Sequence, residues 1–385
     1  MTPIIIIGTG FAGYTLAREF RKLDTKTPLL LITSDDGRSY PKPMLSNALT
    51  KGKTADELAL SDAPSMAKTL DARIIINSSV NQINPEERTV TLSGSSEQFS
   101  YKQLILAVGA KPIRIPIKGE AGNKPISING LADYSLFRDK LENAKHIALI
   151  GPGLIGCEFA NDLINAGKEV SVIGPDPYPM STLLPKPIAE ELERHLAEAG
   201  VSWHLGTTVS TVNHKEPGYQ IILENGEELN AELMLSAIGL RPNIDLAKKA
   251  GLDVTRGIVT DNDLQTSQEN IFALGDCAEV AGHSLLFIAP ILLAAKALAK
   301  TLSGTHSTVK YPAMPVAIKT PIYPLIVSPP PRDAAGEWQF EEASSGFGIK
   351  GLFLSNTKQL LGFALSGDMV SEKQGLAKQL PELLS

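Results

Sequence analysis

Four consecutive isoleucines, Ile4–Ile7, run into Gly8-Thr9-Gly10-Phe11-Ala12-Gly13, and the same arrangement returns 143 residues on as Ile147-Ala148-Leu149-Ile150 and Gly151-Pro152-Gly153-Leu154-Ile155-Gly156. A short β-branched run closed by glycine reads as a buried parallel strand. After the first loop Ala12, Leu16, Phe20 and Leu23 recur at the spacing of one helix face, and Pro28–Ile32 supplies a second strand. After the second loop Ile155, Phe159, Leu163 and Ala166 do the same, and Glu169–Ile173 closes the unit. The downstream segments also match. Strands near Arg73–Ile76 and Thr89–Leu92 precede Leu104–Gly109, while strands near Val201–His204 and Tyr219–Leu223, with an Asn225-Gly226 hairpin turn, precede Leu233–Gly239. A duplication of this size, rather than a short-period solenoid, makes the chain α/β with two Rossmann-like modules.

Each strand–glycine loop–helix unit suits a dinucleotide. The first glycine makes the tight turn, the second lets a pyrophosphate approach the backbone, and the third lets helix and strand pack closely. The phosphates then meet free N–H groups at the positive end of the helix. Candidate binding residues are therefore Gly8, Thr9, Gly10, Phe11, Ala12 and Gly13 in the first unit, and Gly151, Gly153 and Gly156 in the second. A ribose-binding group is expected about 20 residues past the glycines. Thr33, Ser34 and Asp35 are the candidates in the first unit, whereas the second strand of the other unit runs into Gly174-Pro175-Asp176. No arginine cluster follows there to hold a 2′-phosphate, which favours NADH over NADPH.

Composition narrows the alternatives. The 385 residues carry 36 Lys+Arg against 42 Asp+Glu, a net charge of −6, which argues against a general nucleic-acid binder. No apolar run reaches the ~18 residues of a membrane-spanning helix, and no signal peptide is expected. The two cysteines, Cys157 and Cys277, are isolated, which predicts a reducing, cytoplasmic setting with neither a disulfide framework nor a cysteine metal site. The six histidines lack metal-ligand spacing, so no metal is expected.

Thr266–Asp276, ending Ala273-Leu274-Gly275-Asp276, resembles the second FAD-binding signature of the two-dinucleotide-fold flavoprotein reductases, the glutathione reductase structural class. The resemblance implies that Asp276 accepts a hydrogen bond from the ribityl chain of FAD, and that Gly109…Pro112 and Gly239…Pro242 are domain-crossing connections. It also implies discontinuous domains: FAD binding in 1–112 and 243–312, NAD binding in 113–242, and a small C-terminal α/β domain in 313–385 that ends in a helix over Ser371–Leu384. Disulfide-reducing members carry redox cysteines after the first ribose strand, where this chain reads Tyr40–Asn47 with none. Lys42-Pro43-Met44-Leu45-Ser46 is instead similar to the segment of members that serve iron–sulfur proteins. Together with Gly156–Asp162, Ala273–Val280 and Pro315–Pro331 it resembles the bacterial rubredoxin–NAD reductases over essentially the whole chain.

That resemblance implies NADH as donor, FAD as carrier and rubredoxin as one-electron acceptor, with alkane hydroxylation one use of the electrons. It places Lys42 at the FAD pyrophosphate, Val80 at the adenine, Glu158 at the flavin–nicotinamide contact, and Ile288 and Lys319 at the flavin. The flavin carries the chemistry, so no side chain is assigned acid–base catalysis. Lys42, Lys296, Lys300, Lys310 and Lys319 are candidates for a basic patch that receives an acidic partner. Two further readings stay open: a reductase of another acceptor (ferredoxin, a flavo-rubredoxin or a quinone), and a non-enzymatic NADH sensor holding FAD.

Overall fold

The computed structural model describes residues 1–384. The two isoleucine-rich runs are the hubs of two parallel sheets. Ile4–Ile7 lies between Gln103–Leu106 and Leu29–Ile32 in a five-stranded sheet completed by Ile271–Ala273 and Arg73–Ile75. His146–Ile150 lies between Leu233–Ser236 and Glu169–Gly174 in a four-stranded sheet whose other edge is Val201–Leu205. All four isoleucines are buried, as expected of a central parallel strand covered on both faces. The helices Phe11–Arg21 and Leu154–Asn165 follow the two glycine loops.

The duplication extends to hydrogen bonds. Gly8 N–H donates to Ile32 O at 2.8 Å and Gly151 N–H to Ile173 O at 2.8 Å. Each module adds an antiparallel three-stranded meander, Val80–Asn84/Thr89–Leu92/Gln98–Ser100 in one and Val209–Lys215/Gly218–Leu223/Glu228–Ala231 in the other. Ala110–Pro112 and Leu240–Pro242, the two expected crossing connections, pair with each other as an antiparallel ribbon. One hydrophobic cluster draws residues from Ile4 to Ala107 and from Ala247 to Tyr311; another runs from Leu45 through Leu196 to Ala364.

Residues beyond Tyr311 form an antiparallel sheet in the order Val316–Ile318, Leu325–Ser328, Leu360–Ser366, Ile349–Ser355, Gly336–Glu342. The expected terminal helix over Ser371–Leu384 is shorter. A 3₁₀ turn at Gly367–Glu372 leads into α-helix only at Lys373–Ala377. Gly375 weakens the helix, Pro381 cannot continue it, and Leu384 instead exchanges backbone hydrogen bonds with Tyr311. Three long helices, Leu131–Leu141, Lys186–Glu198 and Ile288–Leu302, and three short ones, Ala55–Leu58, Ala63–Leu70 and Asp245–Lys249, have no counterpart among the expected elements. Among the described residues no helix is long and apolar enough to cross a membrane.

Candidate functional site

The glycines of both loops divide their work in the same way. Gly8 and Gly151 adopt φ of +110° and +112°, and a Cβ there would lie 2.3 Å from Ala107 O and 2.6 Å from Ala237 O. A Cβ on Gly13 would stand 2.0 Å from Gly8 O, and one on Gly156 1.9 Å from Gly151 O. These contacts seat each helix against its strand. Gly10 and Gly153 differ, because a Cβ on either would meet no protein atom within 4 Å. Both are helix N-caps without a side-chain cap, and neither first turn holds an acidic residue. Each loop thus presents open space in front of unpaired N–H groups, a cradle that fits a dinucleotide pyrophosphate.

Around the first cradle, Asp35 follows the Leu29–Ile32 strand. Its Oδ1 accepts from Thr33 Oγ1 at 2.7 Å, Thr9 Oγ1 at 3.3 Å and Gly37 N at 3.0 Å, while the residue remains exposed. Oδ2 makes no hydrogen bond among the described residues. Ser34 is exposed beside it, Phe11 is half-buried and Ala12 is buried in the first helical turn. Val80 is half-buried, two residues past Ser78, whose N–H donates to Thr33 O at 2.8 Å. Gly275 packs on Ala12, where an added Cβ would lie 2.7 Å from the alanine methyl, and so brings Asp276 to the same loop. Ile288 is the half-buried first residue of its helix.

Lys42 lies close enough to Asp276 for each to shift the other's titration. Burial pushes the Lys42 ammonium down, opposed by Asp276 and Asp133; burial pushes the Asp276 carboxyl up, opposed by Lys42. The Lys42 Nζ donates to Asn129 Oδ1 at 2.7 Å. Sequence reasoning missed Asn129, whose Nδ2 also donates to Ala110 O at 2.9 Å. Only the three-dimensional neighbourhood reveals it.

Glu158 and Lys319, 161 residues apart, meet. Glu158 is 1% exposed. It accepts from Ser46 Oγ at 2.6 Å, from the Lys319 backbone N at 3.0 Å, and forms an ion pair with Lys319 Nζ. Further along the same helix, Asp162 accepts from Leu49 N, Thr50 N and Thr50 Oγ1 at 3.0, 2.8 and 2.6 Å, and Asn161 Oδ1 accepts from Ile322 N at 3.1 Å. One face of the second glycine helix therefore grips both the Lys42–Thr50 segment and the start of the C-terminal sheet. Of the five lysines expected around the flavin edge, Lys42 donates to Asn129 and Lys319 pairs with Glu158, while Lys296, Lys300 and Lys310 are exposed.

In the second module Asp176 occupies the place of Asp35. Asn77 N donates to Asp35 O at 2.8 Å and Gly206 N to Asp176 O at 3.0 Å; Ser78 N donates to Thr33 O and Thr207 N to Gly174 O. The internal repeat carries this signal, since Asp176 follows Ile173 as Asp35 follows Ile32. Neither cysteine is poised for redox work. Both are fully buried with Sγ donating to backbone carbonyls, and burial pushes both thiols up, Cys277 to about 12.

The chain belongs to the pyridine nucleotide-disulphide oxidoreductase family, whose model matches residues 2–301. Residues 308–380 match a second model, described as a rubredoxin binding C-terminal domain. Within the family the chain is similar to the rubredoxin-NAD(+) reductases of Alcanivorax borkumensis, 44% identical over the whole of both chains, and of Acinetobacter baylyi, 45% identical over 100% of this chain and 99% of the other. The nitric oxide reductase FlRd-NAD(+) reductase of Aliivibrio fischeri is 35% identical over 98% of each. Among solved structures, the covalent putidaredoxin reductase–putidaredoxin complex matches with a TM-score of 0.88 at 25% identity, covering 99% of this chain and 94% of that one. The fold of the NADH:rubredoxin oxidoreductase from Clostridium acetobutylicum matches at 0.81, covering 98% and 94%.

Proposed function

We propose that this protein is an NADH-dependent flavoprotein reductase that passes electrons from NADH through FAD, one at a time, to rubredoxin in the cytoplasm. The observation that carries the reading is the Glu158 junction. The helix that opens at the second glycine loop reaches, through one buried carboxylate, both the segment flanking the first loop and the C-terminal sheet. FAD, when bound, accepts the hydride of NADH and releases its two electrons singly, which an iron–sulfur acceptor requires.

The protein's own residues bind and orient. The N–H groups behind Gly8–Gly13 hold one pyrophosphate, with Thr33, Ser34 and Asp35 at the ribose, Val80 at the adenine, Asp276 at the ribityl chain and Lys42 at the phosphate edge. Gly151, Gly153 and Gly156 hold the pyrophosphate of NADH, and Asp176 its adenosine ribose. Glu158 and Lys319 form a net-neutral pair beside the contact of the two rings, and Ile288 walls the flavin. The domain assignment follows: 1–112 with 243–312 for FAD, 113–242 for NAD, and 313–385 for the acceptor. Buried thiols leave no cysteine relay. Similarity to FlRd-NAD(+) reductases keeps a flavo-rubredoxin as the second acceptor to test.

Anaerobic titration of the yellow holoprotein decides between donors and acceptors. NADH should bleach the flavin at lower concentration than NADPH, and rubredoxin should restore the colour faster than ferredoxin or flavo-rubredoxin. Bleaching without faster reoxidation by any of the three removes the reductase assignment and favours the sensor.

A further inference from the structure

Asp35 and Asp176 hold the same place in the two modules but are held there by different groups. Asp35 accepts from the hydroxyls of Thr9, between the first two glycines of its loop, and of Thr33, at the end of its strand. The repeat puts Pro152 at the place of Thr9 and Gly174 at the place of Thr33, so the second module has neither hydroxyl. The two replacements pack on each other, and a Cβ on Gly174 would lie 2.1 Å from Pro152 Cδ. Among the described residues the Asp176 carboxylate accepts one hydrogen bond, at Oδ1 from Ser181 Oγ, and Oδ2 accepts none.

Ser181 is itself tied to the glycine loop. Met180, buried and with φ of +52°, turns the chain back, and its N–H donates to Pro152 O at 2.9 Å. Leu183 N and Leu184 N close the turn by donating to Met180 O at 2.8 and 2.9 Å. The serine hydroxyl therefore has a set position relative to the Gly151–Gly156 cradle. We propose that Ser181 is a positioning residue for NADH: it pins Asp176 Oδ1, holds Oδ2 toward the adenosine 2′-hydroxyl, and so sets the preference over NADPH. This rests on Asp176 as the ribose ligand. A carboxylate fixed by one oxygen does not swing about its Cβ–Cγ bond, so the ribose meets an acceptor that is already oriented. The same fixed anion repels the 2′-phosphate of NADPH. Released from Ser181, the carboxylate can turn away from a phosphate, but a ribose must order it afresh.

Anaerobic stopped-flow bleaching of the holoprotein tests this with three donors: NADH, NADPH and NADH lacking the adenosine 2′-hydroxyl. Ser181→Ala should raise the half-saturating NADH concentration roughly 3- to 10-fold, the worth of one hydrogen bond. Its limiting rate should stay within about twofold of native, because only binding is weakened. The preference for NADH over NADPH should shrink by at least the factor lost on NADH. With the 2′-deoxy donor the penalty should disappear, since the hydroxyl through which Ser181 acts is gone. Ser181→Thr keeps a hydroxyl and should behave as native. Native NADH saturation in Ser181→Ala overturns the proposal, as does a threonine variant as weak as the alanine one. An equal penalty on the 2′-deoxy donor also overturns it, because Ser181 then acts on the fold alone. If the native protein does not distinguish NADH from the 2′-deoxy donor, the ribose role of Asp176 fails and takes the proposal with it. If NADH does not bleach the native protein, the reductase reading fails instead.

Discussion

Gly10→Ala and Gly13→Ala separate ligand binding from folding at positions three residues apart. Gly10 has an ordinary φ of −64°, and its added methyl would touch no protein atom within 4 Å. The fold should therefore lose only about 1 kcal/mol, the difference between glycine and alanine at an N-cap. The methyl does fill the space in front of the helix N-terminus. Displacing the pyrophosphate from two charge-assisted hydrogen bonds, at about 1.5–3 kcal/mol each, weakens FAD binding by roughly 10²- to 10⁴-fold. Gly13→Ala behaves oppositely. Its methyl would be 2.0 Å from Gly8 O, a backbone atom that yields only by moving strand or helix. Overpacking of this kind costs about 1–3 kcal/mol or more, and FAD loss follows the loss of structure. The assays are urea unfolding of the apoprotein and reconstitution followed by quenching of flavin fluorescence. Native-like FAD affinity in Gly10→Ala would refute the reasoning, as would an unfolding midpoint for Gly10→Ala as low as that of Gly13→Ala.

The second loop should repeat the first, with Gly153→Ala retaining FAD and stability while losing NADH bleaching, measured by anaerobic titration. Asp176→Ala should weaken NADH by roughly 10- to 100-fold, the worth of one hydrogen bond to a charged group, and erase the preference over NADPH. Glu158→Gln should destabilise the protein by about 1–2 kcal/mol in urea, less than the loss from a fully buried pair because Lys319 stays partly exposed. Stability should also fall as pH rises from 9 to 12. Burial lifts Cys277 from 9.0, and Tyr14, Tyr40 and Tyr311 from 10.0, each to about 12, so the native chain holds protons that the unfolded chain has released. Each group contributes up to about 1.4 kcal/mol per pH unit in its window. Unfolding midpoints at pH 8 and pH 10.5 that coincide would contradict this.

Local sequence carried the features whose geometry is local. A glycine that must abut a carbonyl has no substitute, so Gly8, Gly13, Gly151 and Gly156 announced both loops, and the buried isoleucine runs announced both sheet centres. The hydrogen bond from Thr33 to Asp35 is legible because the two residues lie side by side at the end of the second strand. The grip of Glu158 on Ser46 and Lys319 depends on partners 112 and 161 residues away. The family resemblance supplied the residues, but not their bond to one another. Asn129, Asn161 and Asp162 satisfy distant backbone or lysine groups and look like ordinary polar residues on a helix or loop. Asp176 was recoverable from the repeat, but only once strand register aligned Ile173 with Ile32. The terminal helix stops at Ala377 because Gly375 weakens it and Pro381 cannot continue it, which the resemblance alone did not show.

Electron stoichiometry tests the central claim most directly. With the holoprotein in catalytic amount and no oxygen, a limiting quantity of NADH should reduce two rubredoxins, followed by loss of the ferric rubredoxin colour. Two per NADH is the predicted result; no reduction above the rate of NADH and rubredoxin without the protein would contradict the account.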